Sequence, residues 1–291
     1  AFRGLKSPPA SSGFWRILTT KTGQNKRGTK LKISFISLGC PKNTVNSEQM
    51  LFAVQQAGHE VVPAPEMADA VIINTCAFIE SATQEAINTI IEIGALKEEG
   101  NLKYLIVAGC LAQRYQQEIL DELPEVDALI GISSFGSIAQ VLEQLSDETP
   151  VQVFADKNAP VEELERTVST GKNFAYLRIA EGCNNWCSFC IIPAIRGKYR
   201  SRSMDAIVKE AESLAAQGYK ELIIIAQDVT RYGEDLYGSK CLPTLLKRLC
   251  AIDGIGWIRL HYLYPDAFTE ELIDTIAEEP KIVKYLDIPI Q

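Results

Sequence analysis

The sequence predicts an α/β protein made of two consecutive parallel-sheet domains, and three observations lead there. From Lys32 to about Leu145, short apolar runs alternate with segments of helical period, as in a parallel sheet with crossover helices. From Ser146 to Lys172, Pro, charged and small polar residues are mixed, as in a connection. The alternation then resumes at Phe174. A length of 291 residues suits about two domains. The expected division is a basic segment at 1–30, a first domain at 31–146, a connection at 147–172 and a second domain at 173–291.

In the first domain, Lys32–Leu38 reads as a strand through Ile33, Phe35 and Ile36. A helix from about Ser47 follows from the stripe Met50, Leu51, Val54 and Ala57, with Gly58 as its stop. Glu60–Val62 is a short strand ended by Pro63, and Ala70–Ile73 a buried one. Ser81 and Gln84 have capping-box spacing ahead of a helix with Ile87, Ile90 and Ile91 on one face. Then come a strand at Tyr104–Val107, a helix over about Gln113–Leu123, a strand at Ala128–Ile130 and a helix near Ile138–Leu145. The connection holds one candidate strand, Val151–Phe154.

The second domain has expected strands at Tyr176–Ile179, Glu221–Ala226, Trp257–Tyr262 and Tyr285–Ile288. Helices are expected near Asp205–Gln217, Leu242–Ile252 and Thr269–Glu278. An uncovered parallel strand at the end of the chain would leave a bare edge, so an incomplete barrel is expected.

The composition, 46% hydrophobic and 23% charged, is that of a soluble globular protein. No apolar run approaches the roughly 20 residues that cross a bilayer, so no membrane partner is expected. The net charge of −8 is unevenly spread. Residues 1–30 carry seven basic residues and no acid, leaving 22 basic against 37 acidic in the rest. An acidic body disfavours a large nucleic-acid footprint and suits a basic protein partner. The first 30 residues have the composition of an organelle transit peptide; a disordered tail or translated upstream sequence is the alternative. The expected location is the cytoplasm, or a plastid or mitochondrion if that segment is a targeting signal. Disulfide scaffolds are usually short secreted chains, so the eight cysteines point to a reducing compartment.

Six cysteines sort into two triads. Cys40, Cys76 and Cys110 each directly follow an apolar strand-like run. If those strands are parallel, the three thiols leave one sheet edge, where open α/β sheets bind ligands. Gly39 and Gly109, each one residue ahead of a cysteine, would let backbone approach a bulky inorganic group. Three buried structural thiols are the alternative. The other triad, Cys183, Cys187 and Cys190, has the spacing C-x3-C-x2-C. Three thiolates leave one iron of a four-iron cluster open to a non-protein ligand. Zinc would want a fourth protein ligand, and the two histidines, His59 and His261, are distant in sequence. Cys241 and Cys250 have no assigned role.

C-x3-C-x2-C at the end of a barrel strand, with Phe189 ahead of the third cysteine, resembles the radical S-adenosylmethionine (SAM) enzymes. Joined to a three-cysteine α/β domain, it resembles the methylthiotransferases from Lys32 to Gln291. Leu38-Gly-Cys-Pro-Lys-Asn43, Tyr262-Leu-Tyr-Pro-Asp266 and Tyr285-Leu-Asp-Ile-Pro-Ile-Gln291 resemble the ribosomal-protein branch. The resemblance implies two [4Fe-4S] clusters, SAM, and a fold of six barrel units with a C-terminal β-domain; neither the last units nor that domain is expected in this chain. The implied reaction inserts a methylthio group at the β-carbon of an aspartate in protein twelve of the small ribosomal subunit, with adenosine in tRNA as the alternative substrate. Cys183, Cys187 and Cys190 would hold the radical-generating cluster and Cys40, Cys76 and Cys110 the sulfur-carrying one. The electron donor would be a flavodoxin or ferredoxin. Gln227 and Asp228, ending a strand, are candidates for SAM ribose or amino contacts, or are polar strand caps. The run Arg196, Lys198, Arg200, Arg202 would meet the SAM carboxylate or substrate, or be solvated. A non-catalytic metal-binding fragment is the alternative from a different class.

Overall fold

The computed structural model describes residues 30–100, 102–146 and 148–289. The basic segment expected at 1–30 lies outside them, apart from Lys30. The chain divides into two compact units. The first holds the described residues up to Ala159 together with Leu164–Thr167; the second holds Pro160–Glu163 and the chain from Val168 onward.

The first unit runs β1 (Lys32–Ser37), α1 (Pro41–Gln56), β2 (Glu60–Val61), β3 (Ala70–Thr75), α2 (Glu80–Glu98), β4 (Tyr104–Gly109), α3 (Cys110–Tyr115), α4 (Gln117–Glu122), β5 (Ala128–Ile130), α5 (Ile138–Gln144) and β6 (Val151–Val153). Its sheet has the order β2-β1-β3-β4-β5-β6, and every pair is parallel. β3 and β4 lie at its centre, which is why they read as unbroken apolar runs: all of Ala70–Thr75 is buried.

Four expectations change here. Helix α1 begins at Pro41, two turns before Ser47. Proline suits the first helical position, and the opening turns bury Lys42, Asn43, Asn46, Ser47, Glu48 and Gln49 rather than apolar residues, so the hydrophobic stripe starts too late to show them. The capping box is absent. Ile79 is the N-cap of α2, without a side-chain cap, and Gln84 Nε2 donates to Asn88 Oδ1 at 2.7 Å. The helix expected over Gln113–Leu123 starts at Cys110 and breaks at Gln116, whose φ is 44°. The strand at Val151 pairs with β5 and joins the first sheet. Further along the same segment, Arg166 forms a buried ion pair with Glu48.

The second unit runs β7 (Phe174–Arg178), β8 (Ala180–Glu181), α6 (Ile192–Arg196), β9 (Arg200–Ser201), α7 (Met204–Ala216), β10 (Glu221–Ile225), α8 (Glu234–Tyr237), α9 (Leu242–Cys250), β11 (Trp257–Leu260), α10 (Glu270–Glu278) and β12 (Ile282–Leu286). The main sheet, β12-β11-β10-β7, is parallel throughout. Leu177, Leu222, Ile224, Ile258 and Leu260 are buried in one core with Ile207, Leu214, Leu245 and Leu249 of the covering helices. β8 and β9 form a small antiparallel pair that apolar periodicity did not reveal, because each strand has two residues.

Candidate iron–sulfur sites

In the first unit the register sets the site. Ser37 lies opposite Asn74, and Thr75 opposite Gly109. Cys40, Cys76 and Cys110 therefore follow three adjacent parallel strands at one carboxyl edge. Cys40 caps α1, where its carbonyl accepts from the N–H groups of Asn43 and Thr44. Cys110 opens α3. Cys76 and Cys110 are buried and Cys40 half-buried.

Side-chain amides lock this edge together. Asn43 Nδ2 donates to the carbonyls of Leu38 and Thr75, both at 2.9 Å. Asn74 Nδ2 donates to the Asn43 carbonyl at 2.8 Å and to Ser47 Oγ at 3.0 Å. Thr75 Oγ1 donates to the Ala108 carbonyl at 2.6 Å and accepts from the Leu111 N–H at 3.2 Å. The two glycines are required sterically. Gly39 and Gly109 have φ of 89° and 93°. A Cβ on Gly39 would lie 2.7 Å from Cys76 Cβ and 3.2 Å from its Sγ. This glycine-cleared edge with three thiols suits a bulky inorganic group.

In the second unit the loop 182–191 carries Cys183, Cys187 and Cys190, all half-buried. Its neck is tightly made. Gly182 has φ 75°, and a Cβ there would meet the Lys198 carbonyl at 2.0 Å. Cys183 N–H donates to the Gly197 carbonyl, and Tyr199 N–H to Asn184 Oδ1 at 3.0 Å. Glu181 accepts from Arg178 and Arg196 in a buried cluster. Burial pushes the Cys183 thiol up, the Asn185 N–H lowers it, and the Asp228 carboxylate adds to the upward shift. A metal that binds here must displace that proton. Cys187 Sγ lies 3.7 Å from the Tyr264 hydroxyl. Trp186 and Phe189 are both 69% exposed on the same loop.

The two strand-end candidates part company. Gln227 buries both ends of its amide without a hydrogen-bond partner among the described residues. Asp228 is fully buried and already engaged. Its Oδ1 accepts from the Thr230 N–H and hydroxyl and its Oδ2 from Asn185 Nδ2 at 3.2 Å, with Arg231 as an ion-pair partner at 3.2 Å. The basic run is not a solvated face. Arg196 is 1% exposed and bound to Glu181, and buried Arg202 pairs with Glu163 and Glu210. Only Lys198 of the four is exposed. Burial lowers the His261 pKa, and the ring stacks edge-on to Tyr262.

Among the described residues, no three or more His, Cys, Asp or Glu side chains, the two cysteine triads included, come together closely enough to hold one metal ion. None of the eight cysteines is in a disulfide. No helix of the described residues is long and apolar enough to cross a membrane.

Residues 32–131 match the model described as "Uncharacterized protein family UPF0004". Residues 177–291 match the radical SAM superfamily. Curated relatives include proteins described as ribosomal protein uS12 methylthiotransferase RimO. The one from Thermoanaerobacter sp. (strain X514) is 52% identical over 89% of this chain and 59% of its own length. That from Lachnoclostridium phytofermentans is 51% identical over 90% and 60%. The chain thus spans about 60% of the length of these relatives. Among solved structures, the radical SAM methyltransferase TsrM of Kitasatospora setae aligns with TM-score 0.57 at 15% identity, over 88% of this chain and 58% of its own. The cobalamin-dependent SAM radical enzyme OxsB gives 0.56 at 12%, over 90% and 44%. These two show likeness of fold alone. Two matched domains in this order, with relatives at half identity across nine-tenths of the chain, make it similar to the radical SAM methylthiotransferases.

Proposed function

We propose that this chain holds both iron–sulfur sites of an enzyme that adds a methylthio group to the β-carbon of an aspartate in ribosomal protein uS12. One observation carries the reading: three cysteines leave three register-matched parallel strands at one edge, in a chain whose second unit presents three more on one short loop. The identity of about 50% to proteins described as uS12 methylthiotransferases supports the substrate.

Cys183, Cys187 and Cys190 would hold one [4Fe-4S] cluster, and Cys40, Cys76 and Cys110 a second. When bound, the first supplies an electron to SAM and the second supplies the sulfur. The protein's part is binding and orientation. Gln227 offers a buried amide, one acceptor and two donors, to a polar part of SAM. Phe189 offers an exposed ring face beside Cys190. The amide net of Asn43, Asn74 and Thr75 keeps the cysteine-bearing turns in register. The external electron donor is of the flavodoxin or ferredoxin type. The location is the cytoplasm, where ribosomal protein is made.

Anaerobic reconstitution tests the sites. The expected result is about eight irons per chain, falling to about four when either triad is changed to alanine. One cluster, or zinc alone, would sink the reading. The full-length protein, offered uS12 and tRNA separately with SAM and reductant, is expected to add mass to uS12. Methylthiolation of tRNA instead overturns the substrate.

A further inference from the structure

The loop that carries Cys183, Cys187 and Cys190 is attached to the neighbouring strand by a side-chain pair with no cysteine in it. Asn185 sits in the spacer between the first two cysteines. Its Nδ2 donates to Asp228 Oδ2 at 3.2 Å, and its Oδ1 accepts from Arg231 Nε at 3.1 Å. The amide is thus read at both ends, donor to carboxylate and acceptor to guanidinium. Asp228 is 0% exposed and is itself fixed by Thr230, through the backbone N–H and the hydroxyl. Tyr199 adds a bond from its hydroxyl to the Asp228 carbonyl at 2.9 Å. Arg231 is braced further by Glu234 and Asp266.

The buried Asp228 carboxylate is already engaged by the protein, with three hydrogen-bond donors and the Arg231 guanidinium about it. Its neighbour Gln227 has both amide ends open. We infer that Asn185 and Asp228 form a positioning clamp, which sets the cysteine loop at a fixed place against the carboxyl end of β10, where Gln227 presents its amide. Neither residue is catalytic: the clamp acts by holding the loop in register with Gln227. The consequence for a bound cluster rests on the proposed function; the clamp itself does not.

The test exchanges the two residues. Asp228→Asn alone sets an amide N–H₂ against that of Asn185, donor against donor. Asn185→Asp alone sets a half-buried carboxylate against the buried one of Asp228. The double variant N185D/D228N restores one donor and one acceptor across the contact, and the new aspartate still faces Arg231. Hydrogen exchange of residues 182–191 in the metal-free chain is expected to quicken at least tenfold in each single variant and to return toward wild type in the double. In the reconstituted chain, each single variant is expected to keep iron at this loop but lose the change that SAM makes in the cluster's electron paramagnetic resonance spectrum. The double variant is expected to regain it. Unchanged exchange in both singles, or no rescue by the exchange, overturns the clamp. Quickened exchange with an undiminished SAM response overturns its positioning role. A wild-type loop that takes up no iron strikes the proposed function instead, and the exchange measurement still decides the clamp.

Discussion

Glu181 and Arg196 grip each other across the neck of the cysteine loop: Arg196 Nη1 donates to both oxygens of the Glu181 carboxylate at 3.0 Å. The residues are 15 apart in sequence, and the ten residues 182–191 between them carry the three thiols. Arg178 Nη1 adds a third bond at 3.1 Å. All three side chains are buried.

The grip makes Glu181→Gln a severe change. It leaves two buried guanidiniums without the anion that balances them, and breaking such a pair costs about 3–5 kcal/mol. Urea denaturation of the metal-free chain measures it. Tryptophan fluorescence reports the unit concerned, since Trp186 and Trp257 both lie there. A loss under about 1 kcal/mol would show that solvent screens the triad.

Gly109→Ala attacks the other site. The glycine has φ 93°, and a Cβ there would stand 2.3 Å from Asn74 Oδ1 and 2.8 Å from the Thr75 carbonyl. Both are parts of the net that registers the cysteine-bearing turns. Backbone strain alone costs about 1–3 kcal/mol, and the clash adds to it. The expected outcome is a lower melting temperature, with iron lost from Cys40, Cys76 and Cys110 and kept at the cysteine loop. Equal loss from both sites would mean general unfolding.

The fold was legible wherever burial was apolar. β3 and β4 are central strands, and their Val and Ile runs announced them. Legibility failed wherever polar side chains take the place of apolar ones. The first turns of α1 bury Lys42, Asn46 and Glu48, so no hydrophobic stripe marks them. The six cysteines stood out because two spacing patterns repeat a single chemistry. Their supports did not: Glu181 carries no mark in the sequence, and Arg196 and Asp228 read there as SAM or substrate contacts, a solvated run or a strand cap, not as braces of the loop. One signal was available, the Asn184-Asn185 pair inside the spacer of the tight triad, where two amides in a turn must bond something. Of the pair Gln227 and Asp228, only hydrogen-bond accounting in three dimensions tells an open amide from an engaged carboxylate.

Asp69 makes stability depend on pH in the acid range. Its Oδ2 accepts from the Lys32 N–H at 2.9 Å, which holds the carboxyl below its usual range; burial opposes this, and Lys103 assists. In the acid range the unfolded chain therefore binds the proton first. The stabilisation is complete above the unfolded value of about 4 and is lost as pH falls through the lower folded value. Wild type should exceed Asp69→Asn by a constant margin, under about 1 kcal/mol for so exposed a group, from pH 7 to about pH 5. The margin should close below about pH 4. Denaturation curves across that range check it, and a margin that widens in acid refutes it.

Gln227→Met sets stability against binding. The amide is buried at both ends without a partner, and an unsatisfied buried polar group costs about 1–3 kcal/mol. Methionine matches the volume and removes that cost, so the ligand-free chain should become more stable by roughly 1 kcal/mol. The same change deletes the hydrogen bonds proposed for SAM and should weaken its binding about tenfold or more, as loss of a bond worth about 1.4 kcal/mol would. Glutamate in place of Gln227 distinguishes the two effects. It buries a charge, so it should lower stability while keeping an acceptor for the SAM amino group. Melting temperatures of the ligand-free variants and SAM titration of the reconstituted ones measure the pair. A Gln227→Met protein that is less stable yet binds SAM normally would make the amide a part of the scaffold, and the contact with SAM would have to be sought elsewhere.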